Sequence, residues 1–147
     1  MYKLCTTMGV YKVEVYKPDK HVVAMKFMQS DGFIDIVTIE LPDNIMVDLY
    51  DQIHSTLFWR LNCLFTTPMV STNGERYEIW MGDSKVDAPS DDDPDHMWFI
   101  ITATRFGAGG KTKENIVLES WMNNQDVFNF LLALEPIVED IRHAYYG

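Results

Sequence analysis

Six aspartates crowd one short stretch of this sequence: Asp83, Asp87, Asp91, Asp92, Asp93 and Asp95, opposed there by Lys85 alone. Carboxylates at that density have two chemistries open to them. They can coordinate a hard cation such as calcium, which takes six to eight oxygen ligands. They can also present a field of one sign to a positively charged surface. Calcium loops space their ligands as Asp-x-Asp-x-Asp-Gly, whereas here Pro89 and Pro94 interrupt the run and that spacing is missing. No metal is expected, and two readings remain: a solvated acidic loop with no partner, or a docking surface for a basic protein, which is the one carried forward. Trp80, Trp98 and Trp121 stand in strand-like segments of the second half, with Trp80 and Trp98 flanking the stretch. One or two of them facing solvent there would make an aromatic anchor ringed by charge, the composition of a binding hot spot. The expected partner-binding set is Asp83, Asp87, Asp91, Asp92, Asp93, Asp95, Trp80 and Trp98.

Other chemistry-bearing residues give weaker patterns. Gly107-Ala108-Gly109-Gly110-Lys111-Thr112 suggests a phosphate loop, but a Walker A motif needs glycine five positions before Gly110, where Arg105 stands. Strand-like sequence lies on both sides of it, so it reads as a glycine-rich hairpin. His21, His54, His96 and His143 show no zinc-ligand spacing among themselves or with Cys5 and Cys63. The two cysteines stand among apolar or small neighbours, so both are expected to be buried, inert thiols. No Gly-x-Ser-x-Gly elbow or His-Glu-x-x-His pair occurs. No catalytic, cofactor or metal residue is assigned, and the chain is expected not to be an enzyme.

Charge narrows the class of partner. The 147 residues carry 12 Lys+Arg against 22 Asp+Glu, a formal net charge of −10. Direct binding to nucleic acid needs a basic stripe to neutralise phosphates, so it is excluded as an expectation. The length suits one domain. No basic leader with an apolar stretch opens the sequence, and no apolar run reaches the roughly 20 residues of a membrane helix, so a soluble, cytoplasmic protein is expected.

The elements that must position these residues follow from periodicity. Tyr11, Val13 and Val15 alternate with Lys12 and Glu14, and Val23, Met25 and Phe27 form the next apolar face. Phe33, Asp35, Val37, Ile39 and Leu41 continue the pattern, with turns at Lys17–Lys20 and Ser30–Gly32. The period then changes to four. Asp43 or Asn44 can cap a helix over 44–61 whose stripe is Ile45, Leu49, Ile53, Leu57 and Leu61, widened by Met46, Tyr50 and Phe58. In the second half, Asn73-Gly74 marks a hairpin. Tyr77, Ile79 and Met81 share a strand face, and two strands flank the glycine-rich turn. Asn123 or Asn124 then caps a helix over 124–146 in which Pro136 predicts a kink or restart.

This order reads ββββα twice, or βββα then ββββα if the first strand fails. It implies an α+β fold: an antiparallel sheet of seven or eight strands with two amphipathic helices on one face. Echoes such as Leu4-Cys5-Thr6-Thr7 with Leu64-Phe65-Thr66-Thr67 suggest an internal duplication of 1–61 and 62–147. The topology resembles the two-helix platform of peptide-presenting histocompatibility domains, although a fold does not set a function. In size and composition the chain is similar to immunity proteins that neutralise nuclease toxins, and to phage-encoded inhibitors of bacterial defence systems. That resemblance implies a stoichiometric inhibitor whose carboxylates imitate phosphate. A small-molecule-binding domain, a secretion chaperone and a small hydrolase are the alternatives.

Overall fold

The structure, a computed structural model, describes residues 4–8, 10–31, 34–59, 63–66, 75–82, 96–106, 109 and 111–146. Strands β1 (Leu4–Met8), β2 (Tyr11–Asp19), β3 (Val22–Gln29) and β4 (Asp35–Pro42) pair antiparallel in chain order and lead into α1 (Asp43–Trp59). Strands β5 (Cys63–Thr66), β6 (Glu75–Gly82), β7 (His96–Phe106) and β8 (Thr112–Asn123) do the same and lead into α2 (Asn124–Tyr146). The order ββββα is thus realised twice, and the first strand forms in both halves.

The single sheet expected from the pattern is not what forms: the eight strands divide into two sheets of four. β4 and β8 approach each other, but among the described residues no ladder joins them. A continuous two-helix platform is therefore not built. The physical reason lies in the apolar faces. Separate sheets can both turn an apolar face toward one core, and long twisted sheets tend to split for that purpose. Val13, Val15, Met25 and Phe27 from the first sheet join Ile79, Met81, Phe99 and Ile101 from the second in one buried cluster. Across the division the rings of Phe27 and Phe99 stack at 5.9 Å between centroids. The helices complete the core with Met46, Leu49 and Ile53 from α1 and Val127, Phe130, Leu134 and Val138 from α2. They contact each other, and α2 also runs along β1.

Local chemistry explains most boundaries, and three expectations need correction. The first turn is tighter than expected. β2 runs through Pro18 to Asp19, which pairs with Val22 across a register shift between Tyr16 and Asp19. Proline is tolerated in a strand at such an irregularity because the ladder there needs no N–H. In α1, Phe58 leaves the stripe and is 54% exposed. Nine residues from Leu49 at 3.6 per turn puts it about 180° around the helix. The third concerns the kink or restart expected at Pro136: the restart does not occur, since α2 is one continuous helix through that exposed residue.

Each helix start is tied down. Asn123 Oδ1 accepts from the Asp126 backbone N–H at 2.8 Å, capping α2. At α1 the Asp43 N–H donates to the His21 carbonyl at 3.0 Å, while Lys17 Nζ donates to both Asp43 carboxylate oxygens. The Asn73-Gly74 turn lies outside the described residues, although β5 and β6 pair on either side of it. Phe33 and Leu61 lie outside them too.

Candidate protein-binding site

The second sheet has an inner and an outer face, set by the pleat. Tyr77, Ile79 and Met81 of β6, Met97, Phe99, Ile101 and Ala103 of β7, and Leu118, Ser120 and Met122 of β8 point inward and are buried. Their neighbours must point outward. Across the ladder the outer face runs in rows: Gly82–Trp98–Trp121, then Trp80–Ile100–Glu119, then Glu78–Thr102–Ile116. Those three rows hold two carboxylates and no cation; Arg76, opposite Thr104, begins the next row.

Trp98 and Trp121 are directly opposed and meet at 4.8 Å between centroids, tilted by 47°. His96, two residues before Trp98 on the same face, stacks on Trp121 at 5.5 Å and 13°. Trp80, Trp98, Trp121 and His96 are all half-buried. The result is a pre-ordered aromatic surface with a carboxylate fringe from Glu78 and Glu119. Aromatic pairs in this offset or tilted geometry add about 0.5–1.5 kcal/mol beyond their burial, so the cluster holds its shape without a partner.

Of the residues expected to bind a partner, Trp80 and Trp98 share this face, with Trp98 inside the ring cluster and Trp80 one row along. Asp83, Asp87, Asp91, Asp92, Asp93 and Asp95 lie outside the described residues. The described residues on either side of that stretch are Gly82, the last of β6, which is paired with Trp98, and His96, the first of β7. Trp121 is the third strand tryptophan of the second half and stands outside the expected partner-binding set, as does His96, which the sequence offers only as the start of a strand. The signal was present in the alternation: once Met122 faces inward, Trp121 must face outward, and hairpin register sets it opposite Trp98.

The remaining motifs resolve plainly. The glycine-rich segment joins two antiparallel strands, with Gly109 at φ 74° and β8 beginning at Thr112, so no helix follows to receive a phosphate. Cys5 is exposed, contrary to expectation. It sits on the outward side of β1 opposite Glu14, the side away from Val13 and Val15. It also borders a hollow of about 220 Å³ lined by Thr6, Thr7, Val10, Tyr11, Lys12 and Ser30. His21, His54 and His143 are exposed. Among the described residues no three His, Cys, Asp or Glu side chains converge as metal ligands, and no helix is long and apolar enough to cross a membrane. No protein-family model matches the chain, and comparison with curated proteins finds no match.

Proposed function

We propose that this chain is an acidic, stoichiometric inhibitor of the immunity type, which binds and neutralises a basic partner such as a nuclease toxin or a defence nuclease. The observation that supports the reading is the Trp98–Trp121–His96 ring cluster, which includes His96 and lies opposite Gly82, the two described residues that bound the aspartate-rich stretch in sequence. The two parts have separable duties. Clustered carboxylates steer a cationic cleft toward the surface, raising encounter rates by roughly 10–10³ at low salt. The rings then supply a desolvated anchor that slows dissociation. An inhibitor carried by a phage would use the same chemistry, and only the partner would differ. We further read the two ββββα halves as copies of one ancestral unit. Their matching strand order supports this, as does the contact between corresponding helices.

Affinity capture from the native host with mass spectrometry identifies the partner, and stopped-flow association across a salt series then tests the assignment. Changing Asp91, Asp92, Asp93 and Asp95 together to Asn should slow association about 10-fold or more at low salt and flatten its salt dependence. The melting temperature should hold. Trp98→Ala should act mainly on dissociation, by about 2 kcal/mol. If both variants keep wild-type rates, the site is elsewhere and the proposal fails.

A further inference from the structure

A hollow on the first sheet has a lining at odds with the charge of the chain. It measures about 220 Å³ and lies where the β1–β2 hairpin meets the end of β3. Thr7 and Lys12 are directly opposed across that hairpin, and Cys5 stands two residues before Thr7 on the same outward side. Val10 in the hairpin turn and Ser30 just past β3 add to the wall. Tyr11 ties this corner to the second sheet, since its hydroxyl donates to the Glu119 carbonyl of β8 at 3.4 Å. The wall thus offers hydroxyls, a thiol, an aliphatic side chain and one ammonium, and among the described residues it includes no carboxylate. Acids nevertheless outnumber bases by 22 to 12 in the sequence. Glu14, which shares the outward face, stands opposite Lys26 and outside the lining.

Lys12 is the unusual member. Of the other described lysines, Lys17 and Lys26 pair with Asp43 and Asp35, while Lys20, Lys111 and Lys113 are exposed to water. Lys12 is half-buried, and among the described residues no carboxylate lies within ion-pair distance of it. An ammonium so placed gives up part of its hydration and gains no pair in return. An anion entering the hollow would supply one, through a charge-assisted hydrogen bond stronger than a neutral bond. The wall also calls for an apolar body on the ligand. Val10 is 68% exposed, and covering its side chain is favourable. A cavity of about 150 Å³ accepts a benzene ring, so this hollow has room for a ring or short chain together with an acid group.

We propose that the hollow binds a small organic acid as its carboxylate. The acid group would meet Lys12 and the hydroxyls of Thr7 and Ser30, and the apolar body would lie against Val10. The site shares no residue with the Trp98–Trp121–His96 cluster, so the proposal stands or falls independently of the inhibitor assignment.

The test uses the full chain and three probes: benzoate, the neutral benzyl alcohol of similar shape, and inorganic phosphate, an anion without an apolar body. Titration followed by NMR should show saturable one-to-one binding of benzoate with a Kd of about 0.1–1 mM, as suits so small a ligand. Benzyl alcohol and phosphate should each bind about ten-fold more weakly or worse. Cys5 supplies a second readout because it borders the hollow. Saturating benzoate should slow its alkylation by iodoacetamide about three-fold or more, followed peptide by peptide in mass spectrometry. Lys12→Met should weaken benzoate about ten-fold and leave benzyl alcohol unchanged, whereas Lys12→Arg should keep most of the affinity. Thr7→Trp, at an exposed position, should fill the hollow and abolish both binding and protection. Equal affinity for benzoate and benzyl alcohol would mean that no anion site exists, and equal affinity for benzoate and phosphate would mean that charge alone acts. Wild-type binding in Lys12→Met, or a Cys5 rate indifferent to benzoate, would put the ligand elsewhere. Each of these results overturns the proposal, as does the absence of saturable binding, and the Cys5 measurement needs no variant.

Discussion

Lys17 Nζ lies 3.0 and 3.1 Å from the two carboxylate oxygens of Asp43, joining the end of β2 to the first residue of α1. The pair is lopsided: the Asp43 side chain is 6% exposed and that of Lys17 is 29%. Removing the lysine strands a buried charge, whereas removing the carboxylate leaves an ammonium that can reach water. Lys17→Met should therefore cost about 2–4 kcal/mol, somewhat below the range for breaking a fully buried pair. Asp43→Asn should cost less. Urea unfolding of the two variants checks the order, and a larger loss for Asp43→Asn would contradict it.

The stack of Phe27 on Phe99 predicts one cooperative unit. Phe99→Ala should cost about 3–5 kcal/mol, and both sheets should still melt in a single transition because they share one core. A double-mutant cycle with Phe27→Ala should return a coupling of about 0.5–1.5 kcal/mol. Two separate calorimetric transitions would show that the sheets fold independently.

Asn123 holds the start of α2 by a side-chain bond from the Asp126 N–H to its Oδ1. Asn123→Ala should destabilise by about 1 kcal/mol, and Asn123→Asp by much less, since aspartate caps as well as asparagine and favours the positive helix end. Thermal melts followed at 222 nm would reveal the ranking.

Tyr50 gives a pH signature at the alkaline end. Its pKa is raised above the ordinary 10.0, chiefly by burial and then by Glu135. The folded state thus keeps the phenolic proton more tightly than the unfolded state. The associated stability is fully present below pH 10 and is lost as pH rises through the folded pKa. Tyr50→Phe should be less sensitive to pH across that window. Absorbance titration at 295 nm should show the late-ionising phenol disappear in this variant.

Period and turn chemistry made most of the elements legible. The change from alternation to a four-residue repeat at Pro42 located α1 to within a residue at its start, and the Asn123 cap did the same for α2. Division of the strands into two sheets was not readable, because an unpaired edge at β4 and a paired one have the same side-chain pattern. Phe58 was misplaced by counting apolar type in place of helical phase. Cys5 was misplaced because neighbours in sequence alternate faces in a strand. At the candidate site the outward placement of Trp80 and Trp98 follows from their alternation with the buried Ile79, Met81, Met97 and Phe99. The Trp98–Trp121 contact needed the register between two strands, which depends on the length of the hairpin that joins them.

Two four-stranded sheets have four outermost strands, and each here has a neighbour. β1 lies along α2, β5 contacts α1, and β4 and β8 approach each other. Unpaired backbone at the rim of a sheet is a template for adding strands from other molecules, and covering it is one way proteins resist fibrillar growth. The helices therefore shield as well as close the core. Because α2 contributes to both roles, chains in which it has not yet docked present β1 bare, and that interval in folding is when aggregation threatens this protein most.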